Sequence, residues 1–278
     1  MKLDCYQVDA FTQDVFLGNP AAVVILHDWP EDALLQAIAA ENNLSETAFL
    51  VVEEQGIGLR WFTPKAEVAL CGHATLAAAH VFFEHRGHQQ DVLRFVTQSG
   101  LLEVRREASG YCMDFPAVAM EAVADPPDAL LEGLSGQQAL AVYLGTDLLA
   151  VLEDGSLVCR VKPDFAALAA LPGRGLIVTA PGDDCDFVSR CFYPRLGVNE
   201  DPVTGSAHCQ AAPFWADRLG RSELTAVQRS ERSGRLLCRV RGKRVELVGN
   251  AVTYLQGSID VPVRPSRPRM IQPEIIKT

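Results

Sequence analysis

The chain repeats itself at the scale of a domain. Arg60-Trp61-Phe62-Thr63-Pro64 recurs 130 positions later as Arg190-Cys191-Phe192-Tyr193-Pro194. Gly72-His73-Ala74-Thr75 is followed 133 positions on by Gly205-Ser206-Ala207-His208. Gln98-Ser99-Gly100 corresponds to Arg232-Ser233-Gly234 at an offset of 134, and Leu17-Gly18-Asn19 to Leu144-Gly145-Thr146 at 127. Each match alone is weak; four in one order with slowly drifting offsets are hard to reach by chance. Such a period is too long for a solenoid unit and has the size of a domain. The 278 residues therefore read as two copies of one domain, near 1–117 and 118–262, with a proline-rich tail, 263–278, running back over the first copy.

Both copies follow one plan. Short β-branched or alternating runs mark strands at 3–10, 21–26, 47–53, 57–63, 91–97, 101–107 and 110–115. Asp28-Trp29-Pro30-Glu31-Asp32 opens a helix that runs to about Glu41 and stops at Asn42-Asn43; Lys162-Pro163-Asp164 opens its counterpart, to about Leu171. Two further helices are expected at 73–86 and 206–219. The first is apolar on nearly every face from Ala74 to Phe83, which marks a buried helix. Gly87 and Gly220 are its stop and that of its counterpart, and Pro213 should kink the second. Many short strands with one wholly buried helix per copy predict an α/β (α+β) fold: two pseudo-repeated domains, each a curved, mostly antiparallel sheet around a central helix.

Charge and composition remove several function classes. Thirty-five acids against 25 bases give a formal charge of −10, a poor match to the basic surface that nucleic acid requires. No run approaches the ~18 apolar residues of a membrane-spanning helix. Met1-Lys2-Leu3-Asp4-Cys5 lacks an apolar signal core, so a cytoplasmic protein is expected. The eight cysteines form no C-x-x-C pair and read as free thiols in a reducing compartment. There is no H-E-x-x-H, no third glycine after Gly56-Ile57-Gly58 and no Walker A loop, so neither a metal nor a nucleotide cofactor is expected.

Both buried helices begin at a glycine followed by a polar residue, Gly72-His73 and Gly205-Ser206. A helix start offers unpaired N–H donors and the positive end of a dipole. Taken singly, each glycine is a tight turn before a helix. Paired within a repeat, the two starts point to one cleft that holds a carboxylate with no metal and no arginine. Glu46 stands beside Leu44, Ala48 and Phe49, where partial desolvation would raise its pKa and suit it to proton transfer; the plainer reading is a loop charge facing water. Asp201 is held extended by Pro202, while Glu200 reads as a complement to the helix dipole. His73 fits a proton relay, a substrate hydrogen bond or a histidine satisfied at a helix end.

Four segments then carry a family resemblance. Phe16-Leu17-Gly18-Asn19-Pro20, Asn43-Leu44-Ser45-Glu46-Thr47, Cys71-Gly72-His73-Ala74-Thr75 and Glu200-Asp201-Pro202-Val203-Thr204-Gly205-Ser206-Ala207 resemble, in order, the hallmarks of the PhzF-like phenazine-biosynthesis family. The resemblance spans nearly the whole chain and implies the diaminopimelate-epimerase fold, with the site between two similar domains. It implies Glu46 as the proton-shuttling acid/base, with His73, Asp201 and Ser206 completing the catalytic set. Asn19, Gly72, His73, Gly205 and Ser206 would hold the substrate carboxylate. It also implies a homodimer and chemistry without a cofactor: phenazine-pathway members isomerise a dihydro-hydroxyanthranilate by moving a proton. Related epimerases use a cysteine at each helix start. Cys71 fits the first, but Pro202-Val203-Thr204-Gly205 offers none and Cys209 comes after the helix has begun, so Cys71 is expected to be a buried small residue. The leading expectation is a cofactor-independent isomerase of a small carboxylate, cyclic ones included; the alternatives are a non-catalytic binding or scaffolding protein of the same fold and a cofactor-independent racemase or epimerase.

Overall fold

The structure, a computed structural model, describes residues 1–53 and 56–262. The first repeat contains β1 (Lys2–Ala10), β2 (Asn19–Leu26), α1 (Asp32–Asn42), β3 (Glu46–Glu53), β4 (Gly56–Phe62), β5 (Glu67–Val68), α2 (Gly72–Glu84), β6 (Val92–Thr97), β7 (Gly100–Glu107) and β8 (Gly110–Pro116). The remainder is β9 (Glu121–Ala122), α3 (Asp128–Gly133), β10 (Ala141–Leu144), β11 (Leu148–Val151), α4 (Gly155–Arg160), α5 (Phe165–Ala169), β12 (Leu176–Pro181), β13 (Phe187–Tyr193), β14 (Val198–Asp201), α6 (Gly205–Leu219), β15 (Glu223–Gln228), β16 (Gly234–Arg241), β17 (Arg244–Gly249) and β18 (Ala251–Asp260).

The strand pairing repeats with the sequence. β1–β2 is antiparallel, β2–β3 parallel, β3–β4 and β4–β5 antiparallel, β4–β6 parallel, then β6–β7 and β7–β8 antiparallel. The series from β10 to β17 runs through the same seven pairings with the same directions. Even side chains repeat. Arg60 gives both Nε and Nη2 to the Glu67 carboxylate at 2.7 Å each, and Arg190 gives both to Glu200 at 2.8 Å. Glu200 is thus an ion-pair partner rather than a helix-dipole complement. At the first match the register corrects the sequence by one residue: Ala22 takes the place of Leu148, which sets Asn19 against Gly145 instead of Thr146.

The two copies are joined and then exchanged. β8 pairs antiparallel with β17, its own equivalent. Each of these strands is followed by one that crosses to the other copy: β9 pairs with β10, and β18 pairs with β1 along its length. The segment 251–260, placed by sequence in the second domain, therefore completes the sheet of the first. The tail 263–278 lies outside the described residues.

Burial explains why the strands are nearly continuous in apolar residues. In β2, Ala21, Val23 and Ile25 face an inner core while Val24 and Leu26 face an outer one; β3 alternates in the same way through Ala48 and Leu50 against Phe49 and Val51. In the second repeat Leu149 and Ile177 point inward, and Leu148, Leu176 and Val178 outward beneath α3, α4 and α5. A sheet covered on both faces needs apolar side chains on both faces. The inner core is filled by α2, whose residues from His73 to Phe83 are all buried, and by α6.

Helix boundaries follow local chemistry. α1 starts at Asp32, later than the Asp28 start expected, and ends on Asn43 in the left-handed conformation. α5 is capped by the Asp164 carboxylate, which accepts from the Ala166 and Ala167 N–H groups. Gly220 closes α6 at φ 65°, whereas α2 closes earlier, at His85. Pro213 does not end α6. It lacks the N–H that would meet the Cys209 carbonyl four residues back, and that carbonyl instead accepts from Val118 N–H at 3.0 Å. Among the described residues no helix is long and apolar enough to cross a membrane.

Candidate active site

α2 and α6 meet at their N-termini. A methyl group built on Gly72 would stand 3.9 Å from the Gly205 Cα, and one built on Gly205 would stand 3.9 Å from the Gly72 Cα. Any larger residue at either position would fill the approach. Neither start is capped by a side chain: Cys71 makes no cap bond, and the Thr204 hydroxyl donates to the Asp201 carboxylate instead. Two positive helix ends therefore face one cleft of about 370 Å³, lined by both repeats.

The cleft brings together Glu46, Cys71, Gly72 and His73 from the first repeat with Asp201, Gly205 and Ser206 from the second. Glu46 is the first residue of β3, and His73 follows the first residue of α2. His73 Nε2 lies 3.2 Å from Glu46 Oε2. The direction is off the hydrogen-bond line, so this buried nitrogen has no in-line partner among the described residues. On its other side His73 Nδ1 is 3.5 Å from Cys71 Sγ. Asn19 is fully buried and does not line the cleft. Its amide donates to Asp201 Oδ1 and to the Val203 carbonyl, each at 2.9 Å, so it braces Asp201 from behind rather than presenting itself to a substrate.

The environment separates the protonation states. Burial, with the Asp201 carboxylate second, pushes the Glu46 carboxyl up to about 8, against a smaller pull from the Cys71 thiol. The Glu46 side chain is only 19% exposed, and what is exposed faces the cleft. Burial raises Asp201 to about 6, opposed by the bonds that Thr204 and Asn19 donate. Burial alone lowers His73 to about 3, so the imidazole is neutral at physiological pH. Near pH 7 the pair therefore rests as a protonated Glu46 beside an ionised Asp201.

The thiols are not nucleophiles. Burial, with Glu46 adding to it, lifts Cys71 well above the ordinary thiol range, and burial lifts Cys209 to about 12. Cys71 is buried, as expected, and it also lines the cleft. Glu46, Cys71 and His73 place one donor atom each within 4.8 Å of one another, a spacing a metal ion could span. The protonated thiol is a poor ligand, and three donors leave a structural site incomplete.

One residue of the cleft carries no motif. Arg174, just before β12, lines it and donates through Nη2 to Ser206 Oγ at 2.8 Å. The expectation of an anion site without arginine is corrected here. The only sequence signal available was its place beside Gly175, the repeat partner of Glu46.

This geometry coincides with a match of residues 8–257 to the family described as phenazine biosynthesis-like protein, PhzC-PhzF. The chain belongs to that family. An uncharacterized isomerase of Pseudomonas aeruginosa is 52% identical over 259 residues, covering 93% of this chain and 99% of its own. The crystal structure of a PhzF-family phenazine biosynthesis protein from Enterococcus faecalis superposes with a TM-score of 0.91 at 47% identity, over 94% of this chain and 100% of that one. A hydroxyproline epimerase from Agrobacterium vitis shares the architecture at 11% identity and a TM-score of 0.54, covering 93% and 92% of the two chains, a likeness of fold alone. By class this family member is an isomerase.

Proposed function

We propose that this phenazine biosynthesis-like protein moves a proton between two carbons of a small carboxylated substrate, without a cofactor. The observation that carries the reading is Glu46: a carboxyl raised to about 8, against a neutral imidazole, on the wall of a cleft where two uncapped helix starts meet. In its ionised form Glu46 takes a C–H proton. The electron pair left behind delocalises toward the substrate carboxylate, where the N–H groups of the helix starts receive the growing charge. Glu46 then returns the same proton to a second carbon, so atoms and charge balance. Its raised pKa makes it a stronger base than an ordinary carboxylate and a better acid for the return step than water. His73, neutral and with Nε2 unpartnered among the described residues, is free to hydrogen-bond the substrate, and burial together with Asp201 holds the Glu46 pKa up.

The same observations disfavour a two-thiol racemase, because both cleft thiols stay protonated. The test is a screen of cyclic and aromatic carboxylic acids for uptake of solvent deuterium, with isotope-labelled substrate used for any acid that binds without exchange. Glu46→Gln should then lower turnover ~10²–10⁴-fold while carboxylate binding survives. Near-normal turnover in Glu46→Gln on a confirmed substrate would sink the reading. Binding with no proton transfer by either label would favour a binding protein.

A further inference from the structure

The second repeat's wall of the cleft carries a guanidinium with unused donors. Arg174 is held from behind: Nε and Nη2 donate to the two oxygens of Asp147 at 3.0 and 2.7 Å. Asp147 is 1% exposed, and its own N–H and C=O are clamped by the Gln210 amide at 3.1 and 2.7 Å. The Tyr193 hydroxyl donates to the same carboxylate at 3.2 Å, and its ring lies 5.1 Å beneath the guanidinium. A fork locked this firmly meets a ligand with little loss of side-chain freedom.

The lock does not consume the fork. The Arg174 side chain is 34% exposed and lines the cleft. Its Nη2 donates to Ser206 Oγ, which occupies a lone pair of that oxygen and leaves the serine proton to be donated into the cleft. Among the described residues Nη1 has no hydrogen-bond partner. The pair is not part of the duplicated framework either. By strand register Asp147 and Arg174 stand where the first repeat has Ala21 and Ser45, and that repeat builds the same strands without them.

We propose that Arg174 is a specificity residue that binds a second acidic group, so that the substrate is a small dicarboxylate. This rests on the preceding reading, in which the helix starts take the first carboxylate. The first acid then sits at Gly72 and Gly205, and the second is gripped by Arg174 Nη1 and the Ser206 hydroxyl. Between them the reacting carbons face Glu46. Planar, charge-assisted pairing of a guanidinium with a carboxylate gives directional recognition even though Asp147 offsets the net charge.

The test is calorimetric titration of the full chain with benzoate and with its three diacids, phthalate, isophthalate and terephthalate, which scan the spacing of the two groups. The best diacid should bind at least ~10-fold more tightly than benzoate. Arg174→Lys keeps a cation against Asp147 but loses the fork; it should bring that diacid to within about threefold of benzoate and leave benzoate itself unchanged. Glu46→Gln should retain the diacid preference. Benzoate binding with no diacid preference in the parent protein overturns the proposal alone and needs no variant. So does a preference that survives Arg174→Lys. If none of the four acids binds, the helix-start reading fails first and this one falls with it.

Discussion

In the first repeat the strand after the outer helix begins with Glu46; in the second the matching position is Gly175, set by the pairing of Thr47 with Phe62 and of Leu176 with Phe192. A Cβ on Gly175 would lie 2.2 Å from Tyr193 Cδ1 and 2.4 Å from the Phe192 carbonyl oxygen. Tyr193 replaces Thr63 of the first repeat, and its ring fills the space that Glu46 uses there. Conversely, Asp201 of the second repeat stands where the first has Val68. The duplicated scaffold keeps the fork pairs Arg60–Glu67 and Arg190–Glu200 and the two helix starts, while the Glu46 and Asp201 carboxyls and the Arg174 guanidinium of the cleft each occur once. Symmetry of framework thus supports asymmetry of chemistry. A two-base reaction of symmetric design needs an acceptor at both equivalent positions, and the position equivalent to Glu46 has no room for one.

The comparison can be broken most sharply by exchanging its unlike members. Glu46→Gln should lose the most, ~10²–10⁴ in turnover, with little change in a urea melt. Its equivalent, Gly175→Ala, should instead damage folding, by about 1–3 kcal/mol or more, since backbone and ring must both shift. If Gly175→Ala melts like the parent protein, the steric account of the single base is wrong.

The like members should differ in degree. Arg190 also donates to the Val158 and Val161 carbonyls and is 11% exposed, against 19% for Arg60, whose further partner is the exposed Asp32. Arg190→Met should cost about 3 kcal/mol by denaturant titration, and Arg60→Met about half of that, roughly 1.5 kcal/mol. Equal losses would show that the outer contacts contribute nothing.

Smaller effects are expected at the helix starts. Gly72→Ala meets nothing nearer than 3.9 Å, so stability should stay within about 0.5 kcal/mol. Carboxylate affinity should nevertheless fall about three- to tenfold, because the methyl enters the approach to the N–H groups. Unchanged affinity would place the anion elsewhere.

The smallest effect is a pH dependence of stability. Glu46 titrates near 8 in the folded protein against an ordinary 4.5, so folding favours its protonated form. That contribution is complete below about pH 4.5 and is lost as pH rises through 8. Glu46→Gln cannot lose it. The melting temperature of the variant minus that of the parent should therefore grow between pH 5 and pH 9. A flat difference would mean that Glu46 is solvated like a surface acid.

Much of this was legible in the chain because it is local. The motif at Arg60 and Arg190 marks equivalent strands, the apolar run from Ala74 to Phe83 marks a helix buried on all sides, and Gly72 and Gly205 mark its start and that of its counterpart. These features depend on neighbours a few residues away, and a duplicated sequence shows them twice. The crossing of β18 to β1 was not legible, since strand exchange leaves the local pattern unchanged and alters only the partner. Nor was the turning of Asn19 toward Asp201, 182 residues away. Arg174 reads as an ordinary charge between Gly173 and Gly175 until folding sets it against buried Asp147 and against Ser206, 32 residues on. For Glu46 the sequence left two readings open, a desolvated carboxyl and a solvated loop charge, and packing selected the first. The sequence by itself determined the repeat, the buried helices and the residues that start them; only the tertiary structure decided which carboxyl is desolvated and which guanidinium lines the same cleft, because burial and long-range charge are properties of the packed chain rather than of any segment of it.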